Sequence, residues 1–115
     1  MTIKLQEALQ TAQQLAMRSS HPELKGNHVL YELLQQDGGI VVPILEQAQI
    51  EVTKLKAKVV LALDKETKVS GASSQPSISY GLQSTLDAAD QIRQKMGDEF
   101  LSVEHFLLGA IKANA

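Results

Sequence analysis

Ser102-Val-Glu-His-Phe-Leu-Leu-Gly-Ala-Ile-Lys112, near the end of the chain, repeats the pattern of Lys25-Gly-Asn-His-Val-Leu-Tyr-Glu-Leu-Leu-Gln35, 77 residues earlier. His28 aligns with His105, Leu30 with Leu107 and Leu34 with Ile111. The same offset extends backwards without a gap. Leu5, Gln6, Leu9, Ala12, Gln14 and Leu24 meet identical residues at 82, 83, 86, 89, 91 and 101, and Thr2, Leu15 and Arg18 meet Ser79, Ile92 and Lys95. Eight of the 37 pairs from 2/79 to 38/115 are identical, at helical spacings. Self-similarity at a fixed offset marks a chain built from repeated units that pack on one another.

Each unit reads as helices. Leu5, Ala8, Leu9, Ala12, Leu15 and Ala16 recur at three and four, which predicts one amphipathic helix over 3–18 with Thr2 as its cap. Pro22 disfavours helix at His21 and separates a second helix, over 26–36, which Gly38-Gly39 ends. Ile40-Val-Val42 alone could be a strand, but Pro43 suits the first turn of a short helix over 40–48 better. Val52, Leu55, Val59 and Leu63 mark a fourth helix over 52–65. Residues 67–78 are rich in Ser, Gly and Pro, lack periodicity and form a linker. Ser79 then takes the place of Thr2 as a cap. Leu82, Leu86, Ala89, Ile92 and Met96 line a fifth helix that Gly97 ends, and Ser102 caps a sixth that runs to the end.

The expected fold is therefore all-α: two tandem pseudo-symmetric helical repeats, 1–66 and 79–115, joined by the linker 67–78. The second repeat stops where a Gly-Gly turn and two more helices belong. The expectation is a truncated repeat cut from a longer parent, with Phe106, Leu107, Ala110 and Ile111 incompletely covered.

The totals exclude several functions. The net charge is −2 without a basic cluster, which argues against a nucleic-acid partner. There is no cysteine, hence neither a disulfide framework nor thiolate chemistry. No apolar run approaches the roughly 20 residues of a membrane span, and the start runs straight into the amphipathic pattern. A cytoplasmic location is the expectation. No Gly precedes Lys-Ser or Lys-Thr, so there is no phosphate-binding loop, and no His-Glu-x-x-His. Asp98-Glu99 and Asp87 with Asp90 read as solvated carboxylates. His28 and His105 occupy matched first turns, which points to a structural task, such as a ring N–H satisfying a carbonyl or a helix end, rather than a metal. Nothing suggests a catalyst.

Two tandem repeats of this kind, each with a His-containing second helix, resemble the N-terminal domain of the Clp/Hsp100 ATPases. Gly38-Gly39 followed by Pro43-Ile-Leu45, the Val69-Ser-Gly71 linker and Gly97-Asp-Glu-Phe-Leu-Ser-Val-Glu104 are most similar to the ClpB disaggregase branch. The resemblance implies a non-catalytic domain ahead of AAA+ modules in a hexameric parent, the domain itself being monomeric. No cofactor belongs to this chain; ATP and Mg belong to the parent's ATPase modules. The implied partners are unfolded or aggregated polypeptides, with an adaptor or co-chaperone as a further one, and neither nucleic acid nor membrane. The family's polar site positions match Thr2, Ser79, Asp98 and Glu104; for Thr2 and Ser79 this role stands beside capping. Its apolar groove, between the fifth and sixth helices, matches Ala88, Ile92 and His105, of which only Ile92 keeps the leucine-like character. The alternative is an adaptor-docking N-domain of the protease-coupled Clp branch, which Gly38-Gly39 and Pro43 disfavour; a free-standing module is the third possibility.

Overall fold

The computed structural model describes residues 1–36, 38–69 and 75–113. Among these described residues, six helices and two very short strands follow in the order α1 (Ile3–Arg18), β1 (Glu23–Leu24), α2 (Gly26–Gln35), α3 (Val41–Gln47), α4 (Val52–Asp64), β2 (Ser77–Ile78), α5 (Tyr80–Met96) and α6 (Val103–Ala113). All six expected helices are present. Pro43 sits in the first turn of α3, where its missing N–H has no intrahelical acceptor to lose. The middle of the linker, 70–74, lies outside the described residues, as do 114–115 beyond α6.

The strand pair is new. β1 and β2 run parallel, with Glu23 opposite Ser77 and Leu24 opposite Ile78. The end of the linker is thus pinned to the turn before α2. Beside this pair, Ser79 N–H donates to the Leu24 carbonyl at 2.9 Å, and the matched Thr2 N–H donates to the Leu101 carbonyl at 2.8 Å. The two bonds are images of each other under the offset: 2 becomes 79 and 24 becomes 101. Each repeat lends the start of its first helix to the turn of the other, the reciprocal contact that a pseudo-twofold axis generates.

Local chemistry repeats as well. The Thr2 hydroxyl accepts from Leu5 N–H at 3.4 Å and the Ser79 hydroxyl from Leu82 N–H at 3.1 Å. Both caps thereby satisfy a donor of the first turn. At the other ends, Ser20 and Gly97 occupy matched left-handed positions, φ 59° and 74°. His21 N–H then reaches back to Ala16 O at 2.9 Å and Asp98 N–H to Arg93 O at 3.1 Å, the same turn closing both helices. Pro22 therefore does not end α1 alone; the helix stops two residues earlier, at the Ser20 turn.

The core is aliphatic. Leu5, Ala8, Ala12 and Ala16 of α1, Val29 and Leu33 of α2, Val41, Val59, Leu63, Leu82, Val103 and Phe106 are all buried. The repeats differ at one crossing. A Cβ on Gly109 of α6 would lie 2.7 Å from the backbone at both Ala89 and Thr85 of α5, so α5 and α6 touch backbone to backbone. The matched residue on α2 is Glu32, and α1 and α2 meet over a less extensive contact than α5 and α6 do.

Candidate functional site

Two features could carry function: the histidine junction inside each repeat and a groove between the repeats. Each junction is built from the residue just after the turn that closes the first helix and a histidine in the first turn of the second. In the first repeat, Lys25 N–H donates to His28 Nδ1 at 2.9 Å, and His28 Nε2 lies 2.8 Å from His21 Nδ1. In the second, Ser102 N–H donates to His105 Nδ1 at 2.9 Å, and His105 Nε2 lies 2.8 Å from Asp98 Oδ2. His21 aligns with Asp98 and Lys25 with Ser102.

The backbone donor settles the tautomers. A ring nitrogen that accepts an N–H carries no proton, so Nε2 of His28 and of His105 carries it and donates. The rings thus serve helix ends, as the matched positions suggested, but with Nδ1 accepting from an N–H rather than a ring N–H covering a carbonyl. Beyond its carbonyl, which accepts the His28 N–H at 3.0 Å, Lys25 gives nothing back to the helix, since an ammonium side chain cannot accept. Burial of the ring, followed by the His21 ring beside it, holds His28 below the ordinary histidine range. Among the described residues, no group of three or more His, Cys, Asp or Glu side chains is placed to hold a metal.

The groove is open, about 1100 Å³, and lies between α2, α3 and α4 on one side and α5 and α6 on the other. Leu30, Leu45 and Leu55 form one wall; Leu107, Ala110 and Ile111 form the other. Glu23, Asn27, Ser79 and Glu104 stand along it as polar groups. Ile111 is 69 % exposed and Leu108 44 %, whereas Phe106 is 2 % exposed. Of the four α6 residues expected to lack cover, Phe106 is therefore core, and Ile111 carries the exposure. In the first repeat α3 and α4 pack with α2; among the described residues no helix takes that place on α6. No described helix is long and apolar enough to cross a membrane.

The residues singled out in the sequence divide into three groups. Ser79 and Glu104 share the groove. Asp98 and His105 share one hydrogen bond. Ala88 and Ile92 are half-buried on α5, and neither they, His105 nor Thr2 line the groove. The apolar walls from α3 and α4 and the His21 partner of His28 went unrecognised. An Asp aligned with a His gives no identity to notice, and a wall made by four helices has no linear signature.

The chain matches the Clp repeat (R) N-terminal domain family over residues 1–115. It is 36 % identical, over all of its 115 residues, to the chaperone protein ClpB of Pseudomonas putida, of whose length it spans 14 %. Its fold is similar to that of the Hsp104 N-terminal domain from Candida albicans, with a TM-score of 0.84 and 20 % identity over 93 % of this chain and 70 % of that one. It is also similar to a ClpV N-domain solved in complex with a VipB peptide, with a TM-score of 0.81 and 24 % identity over 96 % of this chain and 66 % of that one.

Proposed function

Because the chain belongs to the Clp repeat N-terminal domain family, we propose that it recruits unfolded or aggregated polypeptide for a ClpB-type disaggregase. The groove is the observation that carries this reading. Two leucine-lined walls around roughly 1100 Å³ of open space, with acidic and hydroxyl groups along them, suit apolar side chains of a chain that has lost its own core. A soluble domain rarely leaves a larger apolar patch uncovered without a partner. In the parent, a hexameric cytoplasmic ATPase, this domain captures and the nucleotide-driven modules pull. The chain itself has no Gly-rich loop and Lys to hold phosphates, and titration with Mg-ATP should give no heat beyond dilution.

A second reading is adaptor docking, favoured by the peptide seated on a ClpV N-domain of this fold. Titration of the chain into a fluorescent, permanently unfolded protein separates the two. Weak, saturable binding to many unfolded sequences supports substrate capture; no binding to any leaves the adaptor reading. Two substitutions locate the face. Ile111→Asp should weaken capture if the groove is used, and Ile92→Asp if the α5 surface of Ala88 and Ile92 is used. Capture unchanged in both variants, with helicity intact, would exclude both faces.

A further inference from the structure

We propose that the His21–His28 pair is an acid-sensitive latch on the joint between the repeats, and that the matched Asp98–His105 pair is acid-tolerant. The difference follows from counting protons. In the first repeat Lys25 N–H occupies His28 Nδ1, and His28 Nε2–H occupies His21 Nδ1. His21 must then hold its proton on Nε2, which is buried and, among the described residues, without a partner. No ring lone pair is left. An added proton has to displace one of the two bonds and leave a cation on rings that are 0 % and 5 % exposed.

The surroundings offer little compensation. The charged groups facing the pair are Lys25 and Glu66, Arg18 of α1, Asp64 at the end of α4, and Lys68. Glu66 is already engaged by Lys25 at 2.7 Å. Burial, first, and the His21 ring, second, hold His28 below the ordinary histidine range.

The second repeat answers both difficulties at the aligned positions. Asp98 places a carboxylate where His21 places a second ring, so a protonated His105 keeps its Nε2 bond as an ion pair. Ser102 places a hydroxyl 3.0 Å from His105 Nδ1, ready to accept if that nitrogen gains a proton. The Lys25 side chain, at the same position in the first repeat, has no acceptor to offer. The other charged groups around His105 belong to Arg93, whose Nη1 donates to the Asp98 carbonyl at 3.0 Å, to Asp90, which pairs with Arg93 at 2.7 Å, and to Glu104 on its own helix.

What the latch holds is the joint. His21 closes the turn after α1, Ser20 C=O accepts from Val69 N–H at 2.8 Å, and Leu24 carries both the β2 register and the bond from Ser79. Releasing 20–25 therefore loosens the contact between repeats while leaving the α5–α6 pair closed.

Amide hydrogen exchange on the full chain, corrected for the intrinsic pH dependence, tests this between about pH 7.5 and pH 5. Protection at Lys25, His28 and Ser79 should fall at least tenfold as pH drops below the ordinary histidine value of about 6.5. Ser102 and His105 should keep theirs. Converting the first junction into the second, with H21D and K25S together, should move the loss to lower pH by about a unit or more. If both junctions lose protection together, or if the double variant opens at the parent's pH, the latch is refuted. Should the double variant fail to fold at pH 7.5, K25S alone decides. It supplies the missing hydroxyl on a half-exposed side chain, and an unchanged opening pH refutes the latch equally.

Discussion

Thr2 N–H donates to the carbonyl of Leu101 at 2.8 Å, a bond between backbones 99 positions apart that no substitution at Thr2 other than proline removes. Its image joins Ser79 to Leu24. Capping and joining thus meet in the same two residues, the hydroxyl serving the helix and the amide serving the other repeat. Thr2→Ala and Ser79→Ala should therefore each cost about 1 kcal/mol, the usual loss of a cap, and leave the joint in place. Ser79 should lose more, being 6 % exposed and bonded at 3.1 Å against 3.4 Å for Thr2. Denaturant midpoints of the two variants measure the order; a larger loss at Thr2 would contradict it.

Gly109→Ala should destabilise despite alanine's better helix propensity. The propensity gain is about 1 kcal/mol. Against it stands a methyl group 2.7 Å from two backbone atoms of α5, which neither helix can yield without separating. Overpacking costs about 1–3 kcal/mol or more where only backbone could give way. A net loss, and a melting point lower by several degrees, is expected. A melting point at or above the parent's would mean that α5 and α6 part freely.

Ser20→Gly and Gly97→Ser should act in opposite directions. An L-residue in the left-handed region costs about 1–2 kcal/mol. Glycine's extra freedom in the unfolded chain returns about 0.4–1 kcal/mol of that. The difference, about 0.5–1 kcal/mol, should appear as a gain at Ser20 and a loss at Gly97 in urea titrations.

Stability should fall on mild acidification. His28 is held below the ordinary histidine value, chiefly by burial, so the folded chain is less protonated there than the unfolded one. Such a group contributes fully above about pH 6.5, and its contribution is lost as pH falls through that value toward the folded one. Urea midpoints at about pH 7.5, 6.5 and 5.5 should decline in that order, above the range in which carboxylates titrate. Equal midpoints would show that the buried ring does not set the trend.

Ile111→Lys should leave the folding free energy within about 0.5 kcal/mol of the parent, as expected for a surface change. The side chain is 69 % exposed and lies along the groove. The same change should reduce the fluorescence of an apolar dye added to the folded chain. Undiminished fluorescence would place the dye elsewhere.

Much of this could be read before any coordinates. Thr2, Ser79 and Gly97 announce helix ends because their chemistry acts within one turn. Leu5, Leu82, Ala12 and Ala89 announce a buried stripe because helical spacing is local. The 77-residue offset placed both histidines correctly at helix starts. What stayed hidden depends on distant partners. A two-residue strand such as Glu23–Leu24 has no period to detect, and its partner lies 54 positions away. His21 and Asp98 are chemically unlike, so their common task shows only when each is seen on its histidine. The resemblance implied a groove at Ala88 and Ile92, whereas the groove described above draws its walls from α2, α3, α4 and α6, which only packing assembles.

The reciprocal joint also bears on the order of assembly. α1 with α2, and α5 with α6, close over short loops, whereas Thr2 and Leu101 must meet across most of the chain. Closing longer loops costs more entropy, so local pairs form earlier. The joint then belongs to the last step of folding and the first of unfolding. Weakening it should leave the refolding rate nearly unchanged and quicken unfolding, whereas Gly109→Ala, inside a local helix pair, should slow refolding. How long the two halves stay clasped is thus a lifetime written into two backbone amides, adjustable without touching either core.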